Sequence, residues 1–239
     1  MVKFMKLEGI RPSNFGGVPL LIAILAFVFM IGGIELFSWW MWIIGWVLIF
    51  ASWGISAEIK NDTLILRYVF GLLPIKLKAE DIEEILVLNR LEKGVLLRYF
   101  PGIGAAYMGV LIYALYRYLT FPDNLLPGYY AGALGLIIIS SSMLISLAIP
   151  IGKTHHKLLT AVVVFIASAF LLWLKVRAVE LIPMVVVLVM ITLWTVYDID
   201  TQDYIVLKTR KGRYLLTSNA PRDKVEKAIK AIMEVLSDD

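Results

Sequence analysis

The chain has 239 residues, of which 60% are hydrophobic and 18% are charged, and its formal net charge is +4. An ordinary soluble domain is about 45–50% apolar, so this composition predicts an integral membrane protein. The sequence contains no cysteine, which excludes disulfides, thiolate nucleophiles and cysteine-ligated metals.

The first long apolar stretch, residues 18–55, holds a single charge, Glu35, near its middle. At 1.5 Å per residue, this stretch is nearly twice as long as the roughly 30 Å hydrocarbon layer is thick. It therefore predicts two membrane spans, near Val18–Ile34 and Leu36–Ser56. It is also too long for the apolar region of a signal peptide, so we expect no cleavable signal.

The segment Ile55–Asn89 is the one sizeable polar stretch set among apolar runs, and it predicts a small β-meander. Asn61-Asp62 is a two-residue hairpin signal, and Phe70-Gly71 marks a second turn. Lys76 and Lys78 alternate with apolar residues, as in a half-buried strand. The predicted strands are Ile55–Lys60, Thr63–Val69 and Leu72–Lys78.

Four further apolar runs predict four more spans, which gives six in total. These spans are Tyr99–Leu119, Tyr129–Ile151, Leu158–Leu174 and Leu181–Tyr197. Twenty of the 23 Lys and Arg residues then fall on the side of the two termini, and three fall on the other side. The positive-inside rule therefore predicts a multi-pass protein of the cell membrane with both termini cytoplasmic.

The residues after Tyr197 predict a β-hairpin followed by an amphipathic helix. Strand-like stretches, Tyr204–Thr209 and Tyr214–Thr217, flank a basic loop that contains Gly212. Pro221 suits the start of a helix, and apolar residues then recur on one helical face. That face consists of Val225, Ala228, Ile229, Ile232, Met233 and Leu236. We expect it to cover the open face of the meander, which makes the module a split one.

Both soluble segments resemble bacterial and archaeal pleckstrin-homology-like domains of small membrane proteins. The motifs Leu64-Ile65-Leu66, Gly71-Leu72-Leu73 and the acidic-isoleucine run 79–85 look like the first half of such a domain. Tyr204–Leu207, the basic glycine turn, Tyr214–Thr217 and the helix are similar to the second half. The resemblance implies an α+β module of antiparallel strands plus a C-terminal helix, and a role in recognising proteins or lipid headgroups. Some relatives bind headgroups with basic residues near the first hairpin, where this chain has Asn61-Asp62.

The predicted fold class is thus an α-helical integral membrane protein of six spans that carries a small cytoplasmic α+β module. The predicted regions are a tail and two spans (1–54), the meander (55–98), four spans (99–197), and the hairpin with its helix (198–239).

One basic cluster is the candidate interaction surface, formed by Lys208, Arg210, Lys211 and Arg213. Each cation near an anionic membrane surface is worth about 1 kcal/mol, so this cluster could hold lipid headgroups or a partner. The alternative is a solvated hairpin that follows the positive-inside rule.

Other polar residues do not predict catalysis. His155 and His156 are adjacent and lack further ligands, so we expect no metal site. Ser140–Ser142 and Ser146 are interpreted as helix-packing residues, since no base lies at a comparable depth. The charged residues among the apolar runs fall at span ends, which disfavours a transport path.

The sequence therefore predicts a non-enzymatic membrane protein without a cofactor. Its module is expected to bind a protein partner, another copy of the chain or membrane lipids, and no nucleic acid. The alternative is a small transporter or channel with a regulatory module, and an intramembrane enzyme is a third hypothesis.

Overall fold

The computed structural model describes residues 4–61, 63–122, 127–148 and 203–237, and isolated positions between 159 and 190. Over the continuous ranges the chain is α+β, with six helices and two four-stranded antiparallel sheets. The helices are α1 (Gly17–Glu35), α2 (Trp39–Ser52), α3 (Leu96–Tyr99), α4 (Pro101–Thr120), α5 (Pro127–Ala148) and α6 (Arg222–Ser237). The strands are β1 (Phe4–Lys6), β2 (Ile10–Pro12), β3 (Ser56–Lys60), β4 (Thr63–Tyr68), β5 (Leu73–Lys78), β6 (Ile82–Asn89), β7 (Asp203–Thr209) and β8 (Gly212–Ser218).

The predicted fold class, a helical protein of six membrane spans, is wrong. Within the described ranges one helix, α1, is long and apolar enough to cross a membrane, with a mean hydropathy of 2.6 over its most apolar window. A second candidate exists only if the short helical segment Glu92–Tyr99 and α4 are counted as one bent span. The structure is instead a mixed fold that combines helices with two four-stranded antiparallel sheets.

The lengths of the helices and the bend before α4 explain why the apolar runs do not all form membrane-spanning helices. Helix α2 has 14 residues and is therefore about 21 Å long, short of the roughly 30 Å hydrocarbon layer. Helix α4 meets the preceding helical segment at 91°, with Pro101 at its first position, where a proline is tolerated. The predicted spans Leu158–Leu174 and Leu181–Tyr197 lie outside the described residues except at isolated positions.

The two sheets are connected at both of their edges, where a short link joins an edge strand of one sheet to an edge strand of the other. Sheet A has the strand order β1-β3-β4-β5, and sheet B has the order β2-β8-β7-β6. Strands β1 and β2 are edge strands joined by residues 7–9, and edge strands β5 and β6 are joined by residues 79–81. Because each connection is so short, the sheets face each other across one interior. Residues 4–12, predicted to be part of a tail, supply a strand to each sheet.

Helix α6 closes this interior through its apolar face. Val225, Ala228 and Ile232 are buried in the same core as residues of both sheets, and Ile229 packs against it. Met233 is half exposed, so the buried stripe is narrower than its sequence pattern suggests. The sheet residues of this core are Ile10, Ala57, Ile59, Leu64, Leu66, Tyr68, Leu77, Ile205, Leu207, Tyr214 and Leu216.

Sheet B is buried on both faces. Ile205 and Leu207 of β7 face the core shared with sheet A, whereas Tyr204 and Val206 belong to a second core formed with the helices. On β8, Leu215 also faces the helices. A strand buried on both sides has a continuous apolar sequence instead of an alternating one. Sheet B thus lies between the helical layer and sheet A.

Candidate functional site

The basic hairpin predicted as an interaction surface is the β7–β8 turn, and its cations contact the protein itself. The Lys211 ammonium lies 2.8 Å from Asp81 Oδ2, and the Lys208 ammonium lies 3.3 Å from Glu83 Oε2. The backbone N–H of Arg210 also donates to the Asp81 carbonyl, at 2.9 Å. These bonds attach the hairpin to the corner between β5 and β6.

Arg213, the fourth predicted cation, points toward the helical layer. Its guanidinium donates to the Tyr99 carbonyl at 2.9 Å and lies 5.7 Å from the centre of the Tyr99 ring. Of the four side chains, only that of Arg210 forms no ion pair or hydrogen bond with the protein within the described ranges. The cluster is therefore mostly engaged in internal contacts, which leaves little of its charge for a ligand.

Asp81 is the carboxylate that anchors this hairpin. Its side chain is mostly buried, and the hydrogen bond from the Lys211 ammonium holds its pKa below the usual range. The backbone N–H of Lys78 adds a weaker bond at 3.4 Å. A carboxylate stabilised in this way is a structural ion-pair partner, because its favoured state is the deprotonated acceptor.

A second group of cations lies on the face of sheet A that points away from the core, called here the outer face. The strand register aligns Lys6, Glu58, Ile65 and Lys76 in one row across the sheet. The next row toward the β3–β4 turn contains Lys60, Thr63 and Lys78, and the row at the opposite end contains Ser56, Arg67 and Pro74. Five cations and one carboxylate therefore share this face.

Ion pairing divides these five cations into two groups. Arg67 Nε lies 3.2 Å from Glu58 Oε2, and the Lys78 ammonium lies 3.0 Å from Glu80 Oε1. Lys6, Lys60 and Lys76 are exposed and form no ion pair with any residue in the described part of the chain. The alternation around Lys76 was visible in the sequence. The contribution of Lys6 was not, because it depends on β1 pairing with β3.

A small cavity lies where the segment between β2 and α1 crosses the end of α2 and sheet B. Its volume is about 80 Å³. The lining residues are Arg11, Pro12, Ser13, Asn14, Phe15, Trp53, Gly54, Met143, Tyr204, Leu215 and Thr217. The cavity has room for about two or three water molecules, whereas ligand pockets usually measure about 300–1,000 Å³. Its size disfavours an organic substrate.

The cavity walls are held by buried polar contacts and by close glycine packing. The amide nitrogen of Asn14 donates to Ser52 Oγ at 2.8 Å, and that hydroxyl donates to the Ile49 carbonyl at 2.6 Å. A Cβ on Gly54 would lie 2.3 Å from Pro12 atoms, so only glycine fits there. The cavity is thus a rigid structural junction.

Several helix-associated polar residues are paired locally, whereas the buried Ser140 hydroxyl has no hydrogen-bond partner in the described part of the chain. Arg117 Nε lies 2.8 Å from Glu35 Oε1, and the Tyr113 hydroxyl donates to the same oxygen at 2.6 Å. Ser141 donates to the Ile137 carbonyl of its own helix. His155 and His156 are not among the described residues. Within the described ranges no group of three His, Cys, Asp or Glu residues could hold a metal.

No protein-family model matches this chain, and no curated protein or solved structure is significantly similar to it. Function is therefore inferred from the geometry and from the sequence motifs.

Proposed function

We propose that this chain is a membrane-associated, non-enzymatic protein whose two-sheet module binds an acidic segment of a protein partner through the outer face of sheet A. The observation that carries the proposal is the set of three lysines, Lys6, Lys60 and Lys76, which share one exposed sheet face and form no ion pair with any residue that the structure describes. The resemblance to pleckstrin-homology-like domains supports a recognition role.

Membrane association is supported by apolar side chains on the outside of the helical layer. Helix α1, the candidate span, exposes Leu21 and Val28 by more than half of their surface. Helix α2 likewise exposes Trp40 and Val47. A helix that is apolar on every face is suited to a hydrocarbon environment or to full burial, and these side chains are not buried.

The strand directions favour a protein partner over lipid headgroups. Strand β3 begins at Ser56, soon after α2 ends, so this end of sheet A adjoins the helical layer. Lys60 lies four residues further along β3, about 13 Å away along the strand. Lys78 pairs with Thr63 in the same distant row. A cationic face that extends away from the helices presents most of its charge to the aqueous phase.

The charge pattern suits an acidic partner because opposite potentials steer association and fix its orientation. The outer face keeps three cations in excess after Arg67 and Lys78 are paired. Exposed ion pairs contribute about 0.2–1 kcal/mol each, so three contacts together shift a dissociation constant by a factor between about 3 and about 150. Such binding is modest and salt-sensitive, as expected of a recognition surface.

The test measures binding of a fluorescent twelve-residue peptide of Glu, Asp and Gly to the full chain in neutral phosphatidylcholine nanodiscs. Combined Lys6→Gln, Lys60→Gln and Lys76→Gln substitutions should raise the Kd by about tenfold, as estimated from three exposed ion pairs. Raising the salt concentration from 50 to 300 mM should weaken binding of the unmodified chain and have little effect on the variant.

The matched control removes the same amount of charge elsewhere, with Arg210→Gln, Lys227→Gln and Lys230→Gln. These three residues are exposed and lie off the outer face of sheet A. The control should bind as the unmodified chain does. Equal loss in both triple variants would show that only net charge matters, and the proposed surface would be wrong.

A further inference from the structure

The turn between β4 and β5 has an unusual backbone conformation. Val69, Phe70 and Gly71 have φ angles of 51°, 56° and 91°, respectively. A left-handed conformation costs a non-glycine residue about 1–2 kcal/mol, and it is rarest for a β-branched residue such as valine. Surrounding structure must hold this conformation, and such sites are often functional.

The consequence of this conformation is that apolar side chains are presented outward. Phe70 is 60% exposed, and Leu72, at 81%, is the most exposed large hydrophobic residue among those the structure describes. The Leu72 N–H donates to the Val69 carbonyl at 3.0 Å, which closes the turn behind them. The fold places both side chains at the tip of sheet A.

The strand register locates this tip at the helical end of sheet A. Ser56, at the start of β3, pairs with Arg67 near the end of β4. The turn that follows β4 therefore returns to the level at which α2 ends, and it contacts α2 directly. Ile55, between α2 and β3, is also half exposed. The tip thus continues the exposed apolar surface of the helical layer.

We infer that the turn formed by Val69–Leu72 inserts Phe70 and Leu72 into the interface of the bilayer and so fixes the orientation of the module on the membrane. This inference rests on the membrane association proposed above. Trp53, which follows α2 directly, supports the assignment of this level, because tryptophan prefers the membrane–water interface. Arg67 lies beside the turn, where a long cationic side chain reaches the headgroups.

Lipid is the ligand of the tip, because the exposed apolar surface of the helical layer continues into it. The apolar exterior of α2 and the tip lie at the same end of sheet A. The cationic outer face then extends from the membrane toward the aqueous phase, which keeps it available for the acidic partner. The tip and the outer face are therefore different surfaces with different ligands.

The absence of cysteine from the chain allows a direct test by spin labelling. Three single variants of the full chain, Leu72→Cys, Leu25→Cys and Lys78→Cys, are each labelled with a nitroxide in phosphatidylcholine nanodiscs. Power saturation then compares collision with oxygen, which concentrates in lipid, with collision with a water-soluble nickel complex. Leu25 is an exposed residue of α1, and Lys78 lies at the distant end of sheet A.

The labels at positions 72 and 25 should both collide preferentially with oxygen, with position 25 deeper, while the label at position 78 should collide with nickel. A lipid signal at position 25 with a nickel signal at position 72 would overturn the inference and leave the membrane association intact. A nickel signal at position 25 would overturn the proposed membrane association itself. Spin–spin broadening at position 72 would show contact between two copies of the chain, and it would also overturn the inference.

Discussion

The two sheets of this protein have similar sizes and opposite surroundings. Sheet B packs against the helices on one face and against the shared core on the other. Sheet A covers that core with one face and exposes the other, where Lys6, Lys60 and Lys76 have no ion-pair partner among the described residues. The difference separates two roles, since a doubly buried sheet joins layers and a singly buried sheet can meet a partner.

The cations of the two sheets differ in the same way as the sheets themselves. Three of the four on the β7–β8 turn of sheet B are paired with Asp81 or Glu83 or bonded to the Tyr99 carbonyl. They stabilise the corner at which the sheets meet. Basic residues close together in sequence are therefore a weaker sign of a binding surface than basic residues brought together by strand register without partners.

The largest expected effect comes from truncating sheet B on either face. Leu207 and Leu215 are both fully buried, one in the core between the sheets and one against the helices. Leu207→Ala and Leu215→Ala should each lower the free energy of unfolding by about 2–5 kcal/mol, through lost burial and a residual cavity.

Thermal unfolding followed by circular dichroism measures this loss. Thr63→Ala, on the outer face of sheet A, is the control and should change stability by no more than about 0.5 kcal/mol. If Leu215→Ala behaved like Thr63→Ala, the helix-facing side of sheet B would not be a packed interface, and the contrast between the sheets would fail.

The next largest loss of stability is expected at the small cavity, where Gly54 packs closely against Pro12. Gly54→Ala should destabilise the protein by about 1–3 kcal/mol, since its methyl group would lie 2.3 Å from Pro12. Gly109→Ala, in α4, meets no atom within 4 Å and should be neutral or stabilising by about 0.5–1 kcal/mol. Chemical denaturation of both variants measures the difference. Equal behaviour would mean that the chain segments at the junction do not approach closely.

A smaller effect is expected where sheet A is attached to the segment that enters α1. The hydroxyl of Tyr68, on β4, donates to the Ser13 carbonyl at 3.2 Å, and burial raises its pKa. Tyr68→Phe removes this bond and should cost about 1 kcal/mol. Tyr116→Phe removes a hydroxyl from an exposed residue of α4 and serves as the control. Equal melting temperatures in the two variants would show that the attachment contributes nothing.

Local sequence signals predicted the structure where one face of a strand is buried and the turn chemistry is clear. The hairpin around Asn61 is confirmed, with Lys60 paired to Thr63. The alternation at Lys76 and Lys78 likewise follows from the single wet face of sheet A. The hairpin loop that contains Gly212 predicts strand β7 beside it, whereas the burial of this strand on both faces leaves no periodic pattern that distinguishes it from a buried helix.

Other features depend on contacts distant in sequence. Strand β1 has three residues, too few for a periodic pattern, and exists because β3 pairs with it. The position of Lys6 on the outer face follows from that pairing. The six-span prediction failed for a related reason, because hydropathy measures composition and does not report where a helix such as α2 ends.

The smallest and most specific effect concerns the ion pair at the corner of the sheets. The hydrogen bond from Lys211 lowers the pKa of Asp81 in the folded state. A lowered folded-state pKa adds stability above the unfolded value, about 3.9, and this stability is lost as the pH falls through the folded-state pKa. The melting temperature of the unmodified chain should therefore fall more steeply between pH 5 and pH 3 than that of Asp81→Asn.

Glu84→Gln provides the control for this pH dependence, because Glu84 is an exposed carboxylate of β6 with no ion pair in the described part of the chain. It should keep the pH profile of the unmodified chain, while Asp81→Asn flattens it. If both variants kept the steep profile, the hairpin cations would not depend on Asp81. They would then be available for an external ligand, and the distinction between the two cation groups would no longer hold.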